Sequence, residues 1–440
     1  MVASQVRFRG RVLIGMAALL GCGAERGETA AANGLQQRNA PNPAGPVADE
    51  PAADEPAADE PAAAPSAPAL PSAAPTPAST EAGPTPVAPL ASSEPAPAEP
   101  LPAAPPGTET SNEPAPSGPE PDVATRLLCT GDDPIACHLG GAPGNYAVSV
   151  VLGGDEAATT LVQAEARRVL LGATQTAAGA SRRVSFVVNV RQPEGEPIQN
   201  VPAGTPGLDL YFRGANGQAP AVRALGVEVA REPLVIYVAG DSTVADQTDV
   251  EYGGWGQQLP QFFDAPVVIA NYADSGESSG SFLGARPLFG AIEAQLKADD
   301  WVLIQFGHND KQVTAAQFHD NLTALVTRVK ARSALPVLFS PVARAQFEGA
   351  AVAPQHINGT GANLPQIVRQ VSEEQAVPFF DLTARTSQWL AELGPEGWQA
   401  FHALGSDVTH TNDAGAAIEA GFVRDFIAGS ELAELRSRLR

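Results

Sequence analysis

The sequence predicts an α/β fold for the carboxyl-terminal half of the chain, with a parallel sheet that carries helices on both faces. It predicts a small all-β sandwich before that half, and a disordered tether before the sandwich. Residues 23–122 are mostly Ala, Pro and Glu, residues 123–230 hold short runs of β-branched residues, and residues 231–440 alternate apolar runs with helical patterns. Strands that alternate with helices need crossover connections, which make the strands parallel.

Residues 1–22 have the pattern of an export signal. Three arginines precede the apolar run Val12–Leu20, which is too short to span a bilayer. Leu19-Leu20-Gly21-Cys22 resembles the bacterial lipoprotein box, in which signal cleavage leaves a lipid-modified cysteine. The alternative is an ordinary secretory signal in which Cys22 is incidental. We therefore expect an exported protein of the bacterial cell envelope, either secreted or held in the outer membrane only through a lipid anchor at Cys22.

Residues 23–122 lack the apolar side chains that a folded core requires. They include the repeat Pro-Ala-Ala-Asp-Glu and hold 15 acidic against 2 basic residues. Such a segment cannot bury enough surface to offset its ordering entropy, and its proline content favours an extended spacer. The whole chain carries a formal charge of −22. Without a basic stripe, we expect no nucleic-acid partner.

The remaining cysteines are Cys129 and Cys137, which flank a Gly-Asp-Asp-Pro turn. In an exported chain we expect a disulfide here rather than two free thiols. A metal site would need more ligands than this pair and His138, so no metal is expected.

Residues 123–230 show several short strand-like runs separated by turns, which is typical of a β-sandwich. The predicted strands are Tyr146–Leu152, Val184–Val190, Leu208–Phe212 and Val222–Val229. This segment would be either a carbohydrate-binding module, with Tyr146 or Tyr211 stacking on a sugar, or a packing domain whose aromatic residues are core. We favour the packing domain, because strand alternation explains those aromatic residues without a ligand.

Residues 231–440 contain five apolar runs that predict buried parallel strands. These runs are Leu234–Ala239, Val267–Ala270, Trp301–Phe306, Pro336–Phe339 and Val377–Phe380. The predicted helices are Trp255–Phe263, Pro287–Lys297, Ala315–Ala331, Leu364–Glu374, Thr386–Leu393 and Asp413–Ile427, the last capped by Asn412.

Small polar residues follow the first three of these strands, and another polar cluster precedes the last helix. Open α/β sheets build their sites at the carboxyl ends of the strands, so these clusters should converge. Ser242 would be the nucleophile, but a hydroxyl at its free pKa needs an adjacent base. We assign that role to His410, with Asp407 fixing the imidazole tautomer.

The developing oxyanion needs preorganised donors. We assign them to the amide N–H groups of Ser242 and Gly276 and to the side-chain amide of Asn309. No cofactor is expected.

These clusters resemble the four blocks of the SGNH (GDSL) hydrolase superfamily, with Ser242, Gly276, Asn309 and His410 in the four named positions. The motifs Gly240-Asp241-Ser242-Thr243, Gly253-Gly254-Trp255-Gly256, Phe306-Gly307-His308-Asn309-Asp310 and Asp407-x-x-His410 are similar to those of the rhamnogalacturonan acetylesterase-type family. The resemblance covers residues 234 to about 427. It implies a flavodoxin-like fold and a metal-free serine esterase that removes acetyl groups from pectic polysaccharides. Some bacterial members of that family also carry a β-sandwich before the catalytic domain.

One block departs from the family pattern. Where the family has Gly-Arg-Ser-x-Arg-Ser-Phe, this chain has Glu277 and Gly280 in place of the two arginines. The acetylesterase class is therefore better supported than the pectin substrate. The expected partner is an acetylated polysaccharide or a small ester, bound by a monomer. The alternatives are a lipase or lysophospholipase of the same superfamily and a surface-binding lipoprotein without catalysis.

Overall fold

The computed structural model describes residues 6–7, 128–191, 206–284 and 288–440. The predicted export signal, residues 1–22, and the tether, residues 23–122, lie outside the described residues apart from the short strand Val6–Arg7. Both therefore stay predictions, as does the division of the chain into four segments. Within the described ranges, no helix has both the length and the apolar character needed to cross a membrane.

The described residues before 231 form two antiparallel sheets with a shared apolar core. The strands are β1 (Val6–Arg7), β2 (Leu128–Thr130), β3 (Ile135–Leu139), β4 (Gly144–Leu152), β5 (Ala158–Ala164), β6 (Arg168–Thr176), β7 (Arg182–Val190), β8 (Leu208–Gly214) and β9 (Val222–Val229). One sheet has the order β1-β9-β4-β7 and the other β2-β3-β8-β5-β6. Their apolar side chains form one cluster that includes Val150, Phe212 and Leu225. The predicted sandwich is confirmed, and so is the disulfide, which joins Cys129 to Cys137 across β2 and β3.

Two of the strands that the sequence pattern missed, β5 and β6, contain buried polar side chains. Thr159, Thr160 and Gln163 are all at most 4% exposed, so the segment lacks the apolar–polar alternation of a half-exposed strand. Tyr146 is buried in the sandwich core, which agrees with the packing interpretation for that residue.

The residues from 234 onward form the predicted parallel sheet. Its strands are β10 (Leu234–Ala239), β11 (Val267–Asn271), β12 (Trp301–Gln305), β13 (Leu335–Phe339) and β16 (Phe379–Phe380), while β14 (Phe347–Glu348) and β15 (Ala351–Val352) form a separate hairpin. The sheet order is β11-β10-β12-β13-β16, with every neighbouring pair parallel. In chain order this is 2-1-3-4-5, the flavodoxin-like order, in which the ends of the first and third strands mark the switch point. The expected fold class is confirmed.

Helices cover both faces of this sheet, as predicted. They are α1 (Trp255–Gln258), α2 (Ser279–Leu283), α3 (Phe289–Gln295), α4 (Ala315–Lys330), α5 (Leu364–Gln375), α6 (Leu382–Leu393), α7 (Asp413–Gly429) and α8 (Ala433–Arg436). Alternate residues of β10 enter two different cores: Tyr237 packs with α2 to α5, and Ile236 packs with α1 and α6 to α8. This alternation follows from the two-residue period of a strand.

Two predicted helix boundaries were wrong for local reasons. The single helix expected over 255–263 is α1 followed by a 3-10 helix, Leu259–Phe262, because Pro260 has no N–H to continue the α-helical ladder. Helix α6 begins four residues earlier than predicted. Asp381 caps it by accepting a hydrogen bond from the N–H of Ala384 at 3.0 Å.

The sandwich and the α/β sheet belong to one compact unit. Val187 of β7 lies in the same apolar cluster as Val268 of β11, so the two layers share part of a core.

Candidate active site

Ser242 stands three residues after the end of β10, in a tight turn. The carbonyl of Asp241 accepts hydrogen bonds from the N–H groups of Val244 and Ala245, both at 3.0 Å. A Cβ on Gly240 would lie 2.6 Å from the Val244 side chain and 3.1 Å from the carbonyl oxygen of Gln305. The turn therefore requires glycine before the Asp-Ser pair, and it leaves Ser242 half-buried at the carboxyl edge of the sheet.

Ser242 and His410 are 168 residues apart in sequence and in contact in space. Ser242 Oγ lies 2.8 Å from His410 Nε2, and His410 Nδ1 lies 2.8 Å from Asp407 Oδ2. The hydrogen-bond network assigns the tautomer: Nδ1–H donates to Asp407, which leaves Nε2 to accept from the serine hydroxyl. The structure thus brings together the three residues that the sequence predicted as nucleophile, base and orienting acid.

The Asp407-x-x-His410 spacing has a structural reason. Asp407 Oδ1 accepts from the N–H of Thr409 at 2.8 Å and from the N–H of His410 at 3.0 Å. One carboxylate oxygen therefore shapes the turn while the other holds the imidazole. Burial raises the pKa of Asp407, but the hydrogen bonds from the His410 ring and from these two amides outweigh burial and lower that pKa overall. The carboxylate that orients His410 is ionised at neutral pH.

The predicted oxyanion residues lie on neighbouring turns at the same edge. Gly276 adopts a φ of +83° in the turn after β11, and Asn309 follows β12. Asn309 Nδ2 donates to the carbonyl of Glu277 at 3.0 Å, so the asparagine and the glycine turn are adjacent.

Gln247 connects this turn to the nucleophile. Its side-chain amide donates to the carbonyl of Ser242 at 2.7 Å and to Ser275 Oγ at 3.3 Å. The sequence reasoning did not single out Gln247, since a glutamine five residues after the serine carries no recognisable signal.

A buried polar layer supports the Ser242 turn from below. Asp241 Oδ1 accepts from the N–H and the hydroxyl of Thr243 at 3.0 and 2.7 Å, and Asp241 Oδ2 lies 3.2 Å from His308 Nδ1. His308 Nε2 contacts the carbonyl of Val342 at 3.0 Å. Burial raises the pKa of Asp241, but His308 and the hydrogen bonds from Thr243 lower it overall. His308 is 2% exposed and both of its ring nitrogens face protein oxygens, so this histidine supports the turn.

Asp310 holds the turn that carries Gly276. The N–H and hydroxyl of Ser279 at the start of α2 donate to this carboxyl group, the hydroxyl at 2.6 Å. Burial raises the pKa of Asp310 to about 6, despite those hydrogen bonds. Asp310 was part of the quoted motif, but its contact with Ser279 depends on α2, which the sequence pattern did not predict.

The Tyr252 ring meets the His410 ring edge-on, with centroids 5.7 Å apart. Across the described ranges, no group of three or more His, Cys, Asp or Glu side chains is placed to hold a metal ion.

Comparison with known proteins shows which family the sequence resembles. The model of the GDSL-like lipase/acylhydrolase family matches residues 238–418. The chain is 32% identical over 172 residues to the rhamnogalacturonan acetylesterase RhgT of Bacillus subtilis, covering 38% of this chain and 72% of that protein. It is 28% identical over 263 residues to the uncharacterized esterase YxiM of Bacillus subtilis, covering 57% of this chain and 67% of that protein. The crystal structure of YxiM aligns with this structure at a TM-score of 0.42 and 25% sequence identity. The alignment covers 67% of this chain and 82% of the YxiM chain.

The chain is 32% identical to RhgT over 72% of that protein, and all of the motifs at the carboxyl edge of the sheet fall within residues 238–418. The chain therefore belongs to the GDSL-like lipase/acylhydrolase family of the SGNH superfamily and is a carboxylic ester hydrolase.

Proposed function

We propose that this esterase removes acetyl groups from carbohydrate through an acetyl-enzyme on Ser242. The observation that carries the proposal is the chain of contacts from Ser242 Oγ to His410 Nε2 and from His410 Nδ1 to Asp407, each 2.8 Å long. A serine hydroxyl in this arrangement has a base within proton-transfer distance, and the base has a fixed tautomer.

In the first half-reaction, Ser242 Oγ attacks the acetyl carbonyl carbon and its proton passes to His410 Nε2. The tetrahedral intermediate then breaks its bond to the sugar oxygen, which takes the proton from His410 and leaves as a free hydroxyl. In the second half-reaction, water attacks the acetyl-serine and gives a proton to His410. That proton passes to Ser242 Oγ as the bond from the serine to the acetyl carbon breaks. The other water proton leaves on acetic acid, which ionises to acetate in solution, so the enzyme ends as it began.

The negative oxygen of each intermediate would be held by the N–H groups of Ser242 and Gly276 and by Asn309 Nδ2. In the free enzyme, Asn309 Nδ2 donates to the carbonyl of Glu277, so the amide is already held beside the glycine turn. Preorganised donors of this kind contribute about 10²–10³-fold each to kcat.

The carbohydrate acetyl substrate is supported by the relatives. RhgT is named a rhamnogalacturonan acetylesterase, and so is a relative from Emericella nidulans that is 43% identical over 75 residues. Glu277 is 3% exposed, so the acid that replaces the first family arginine does not project toward a ligand. Gly280 supplies no charge. We therefore propose an acetylated polysaccharide in general rather than pectin in particular.

The lipase alternative requires a surface for a long acyl chain. Trp255 and Phe282, aromatic residues within two of the motifs, are fully buried in opposite cores of the sheet. Neither can contact an acyl chain without unpacking the fold. We expect turnover to fall as the ester is lengthened from acetate to octanoate, and a rise along that series would favour a lipase.

The decisive experiment is hydrolysis of an aryl acetate by the whole protein and by Ser242→Ala. We expect the variant to lose about 10⁴-fold or more of kcat, while Ser406→Ala, an exposed serine beside Asp407, keeps it. A phosphonate probe should label Ser242 in the parent protein. If the folded parent neither reacts with the probe nor hydrolyses the ester, that result favours the alternative of a surface-binding lipoprotein without catalysis. For an active parent protein, acetate release from acetylated pectin and from acetylated xylan is compared to identify the sugar.

Export through residues 1–22 and lipid attachment at Cys22 remain part of the proposal. They rest on the sequence pattern alone. We expect the protein to fractionate with the membrane and Cys22→Ala to be released from it. A Cys22→Ala protein that stays membrane-bound would count against the lipid anchor.

A further inference from the structure

The sandwich reaches the candidate active site through one tight turn between β5 and β6. Its residues Glu165 and Arg167 adopt left-handed backbone conformations, with φ of 52° and 60°. This turn sends two consecutive arginines, Arg167 and Arg168, against the α/β unit. Their side chains are 12% and 1% exposed, so both guanidinium groups lie in the interface.

Arg168 forms a fully buried ion pair with Asp246, four residues after Ser242. Its Nε and Nη2 donate to Asp246 Oδ2 at 2.8 and 2.6 Å, and its Nη1 donates to the carbonyl of Asn189 at 2.8 Å. Asp246 Oδ1 accepts from Asn271 Nδ2 at 2.7 Å. This pair holds the sandwich to β11 and to the Ser242 turn.

Arg167 makes a different set of contacts. Its Nη1 donates to the backbone carbonyls of Gln247, Asp249 and Tyr252. Its Nη2 donates to Asp413 Oδ2 at 2.6 Å. One guanidinium group therefore joins the segment that follows Ser242 to the segment that follows His410.

The segment that follows Ser242 contacts both reacting residues, and Asp413 lies three residues after His410. Gln247 holds the carbonyl of Ser242 through its own side chain, and the Tyr252 ring lies against the His410 ring. A second bond from the sandwich turn strengthens the arrangement, because Gln257 Nε2 donates to the carbonyls of Ala166 and Gln247 at 2.7 and 2.9 Å. Without the Arg167 guanidinium group, the segment after Ser242 and the segment after His410 would be free to shift relative to each other.

We propose that Arg167 is a positioning residue of the esterase, which holds the serine and histidine segments in register, and that the sandwich is thereby part of the active site. The proposal rests on Ser242 and His410 acting as proposed above. It differs from the idea of a separable carbohydrate module, because it gives the sandwich an effect on an aryl acetate that contains no sugar.

The test compares Arg167→Ala, Arg167→Lys and Arg223→Ala in the full chain. Arg223 is a matched control, because it is a sandwich arginine that pairs with a carboxylate, Asp155, away from the site. With an aryl acetate, we expect Arg167→Ala to lower kcat roughly 10- to 100-fold, the scale on which small displacements of reacting groups act. KM should change less than about twofold, since no contact to the ester is removed.

Chemical rescue distinguishes a positioning role of Arg167 from a role that only stabilises the interface between the sandwich and the α/β sheet. Added guanidinium at low millimolar concentration should restore part of the kcat of Arg167→Ala and leave that of Arg223→Ala unchanged. Arg167→Lys should retain an intermediate kcat, because an ammonium group has only three donors for these four oxygens.

The proposal is overturned if Arg167→Ala keeps the parent kcat in its folded fraction, even when its Tm falls. If Arg167→Ala does not fold, the kcat of Arg167→Lys decides: a value equal to that of Arg223→Ala overturns the proposal. If instead Ser242→Ala keeps full activity, the proposed function fails first, and the two failures are thereby distinguished.

Discussion

Two aspartate–histidine pairs lie beside Ser242, and they differ in burial and in their other contacts. Asp407 and His410 have side chains 24% and 28% exposed, and the free nitrogen of that histidine faces the serine hydroxyl. Asp241 and His308 are at most 2% exposed, and the second nitrogen of that histidine contacts the backbone carbonyl of Val342. The same two side-chain types can therefore serve proton transfer in one place and hold a turn in the other.

The two pairs differ in whether the histidine can exchange a proton with a neighbouring group. His410 has a hydroxyl neighbour that can give and regain a proton, whereas His308 is enclosed by a carboxylate and a carbonyl. In both pairs burial raises the aspartate pKa, but the electrostatic attraction of the paired histidine and the hydrogen bonds to the carboxylate outweigh burial and lower it. A lowered pKa alone thus does not distinguish a catalytic carboxylate from a structural one, and the same substitution in each pair should separate activity from stability.

Asp407→Asn should produce the largest effect on activity. An asparagine can donate to His410 Nδ1, which favours the tautomer with its proton on Nε2, facing Ser242. We expect kcat on an aryl acetate to fall about 10³–10⁴-fold, as for the equivalent change in a serine protease triad. The Tm should stay close to that of the parent. A kcat within tenfold of the parent, a limit of roughly 1.4 kcal/mol in the barrier, would assign the orienting role elsewhere.

Asp241→Asn should have the opposite effect, with a large loss of stability and a smaller loss of activity. The substitution removes a buried charge from the side of His308, and breaking such a pair costs about 3 kcal/mol or more. We expect a lower midpoint of urea unfolding with an unchanged m-value. The kcat of the folded variant should exceed that of Asp407→Asn by at least about tenfold. If Asp241→Asn instead keeps its stability and loses as much activity as Asp407→Asn, the contrast between the two pairs is wrong.

The pair Asp407 and His410 could be predicted from the sequence because the residues that indicate it are close together in the chain. Asp407 and His410 share one turn, Ser242 follows a continuous apolar strand, and the strand order of an α/β sheet brings their ends together. The five sheet strands were found for the same reason, since each is an apolar run buried on both faces. Asn309 and Gly276 followed from their positions after β12 and β11.

The contacts that were missed join residues far apart in sequence. Arg167 and Asp413 are 246 residues apart, and Arg168 and Asp246 are 78 apart. Nothing in a stretch such as Glu-Ala-Arg-Arg distinguishes an interface arginine from a solvated one. Strands β5 and β6 escaped detection because Thr and Gln side chains are buried there, so apolar periodicity, which depends on exposure of one face, is absent.

Glu419→Gln should give the smallest effect, and one that depends on pH. Glu419 of α7 is 2% exposed. Among the residues that the structure describes, its Oε2 has no hydrogen-bond partner and no histidine forms an ion pair with its carboxyl group. Burial raises the pKa of Glu419 to about 8. Between the ordinary glutamate pKa of about 4.3 and about 8, the folded protein keeps a proton that the unfolded chain releases. The free energy of unfolding therefore falls as pH rises through that interval.

Glutamine resembles the protonated form and has no proton to release. The Tm of Glu419→Gln should match that of the parent near the lower limit of the interval and exceed it by a few degrees at its upper limit. Glu396→Gln, an exposed change, controls for the loss of one charge and should show no such trend. Equal Tm values for parent and Glu419→Gln throughout the interval would mean that the folded protein ionises Glu419, so that a buried carboxylate in this fold needs no histidine partner to stay charged.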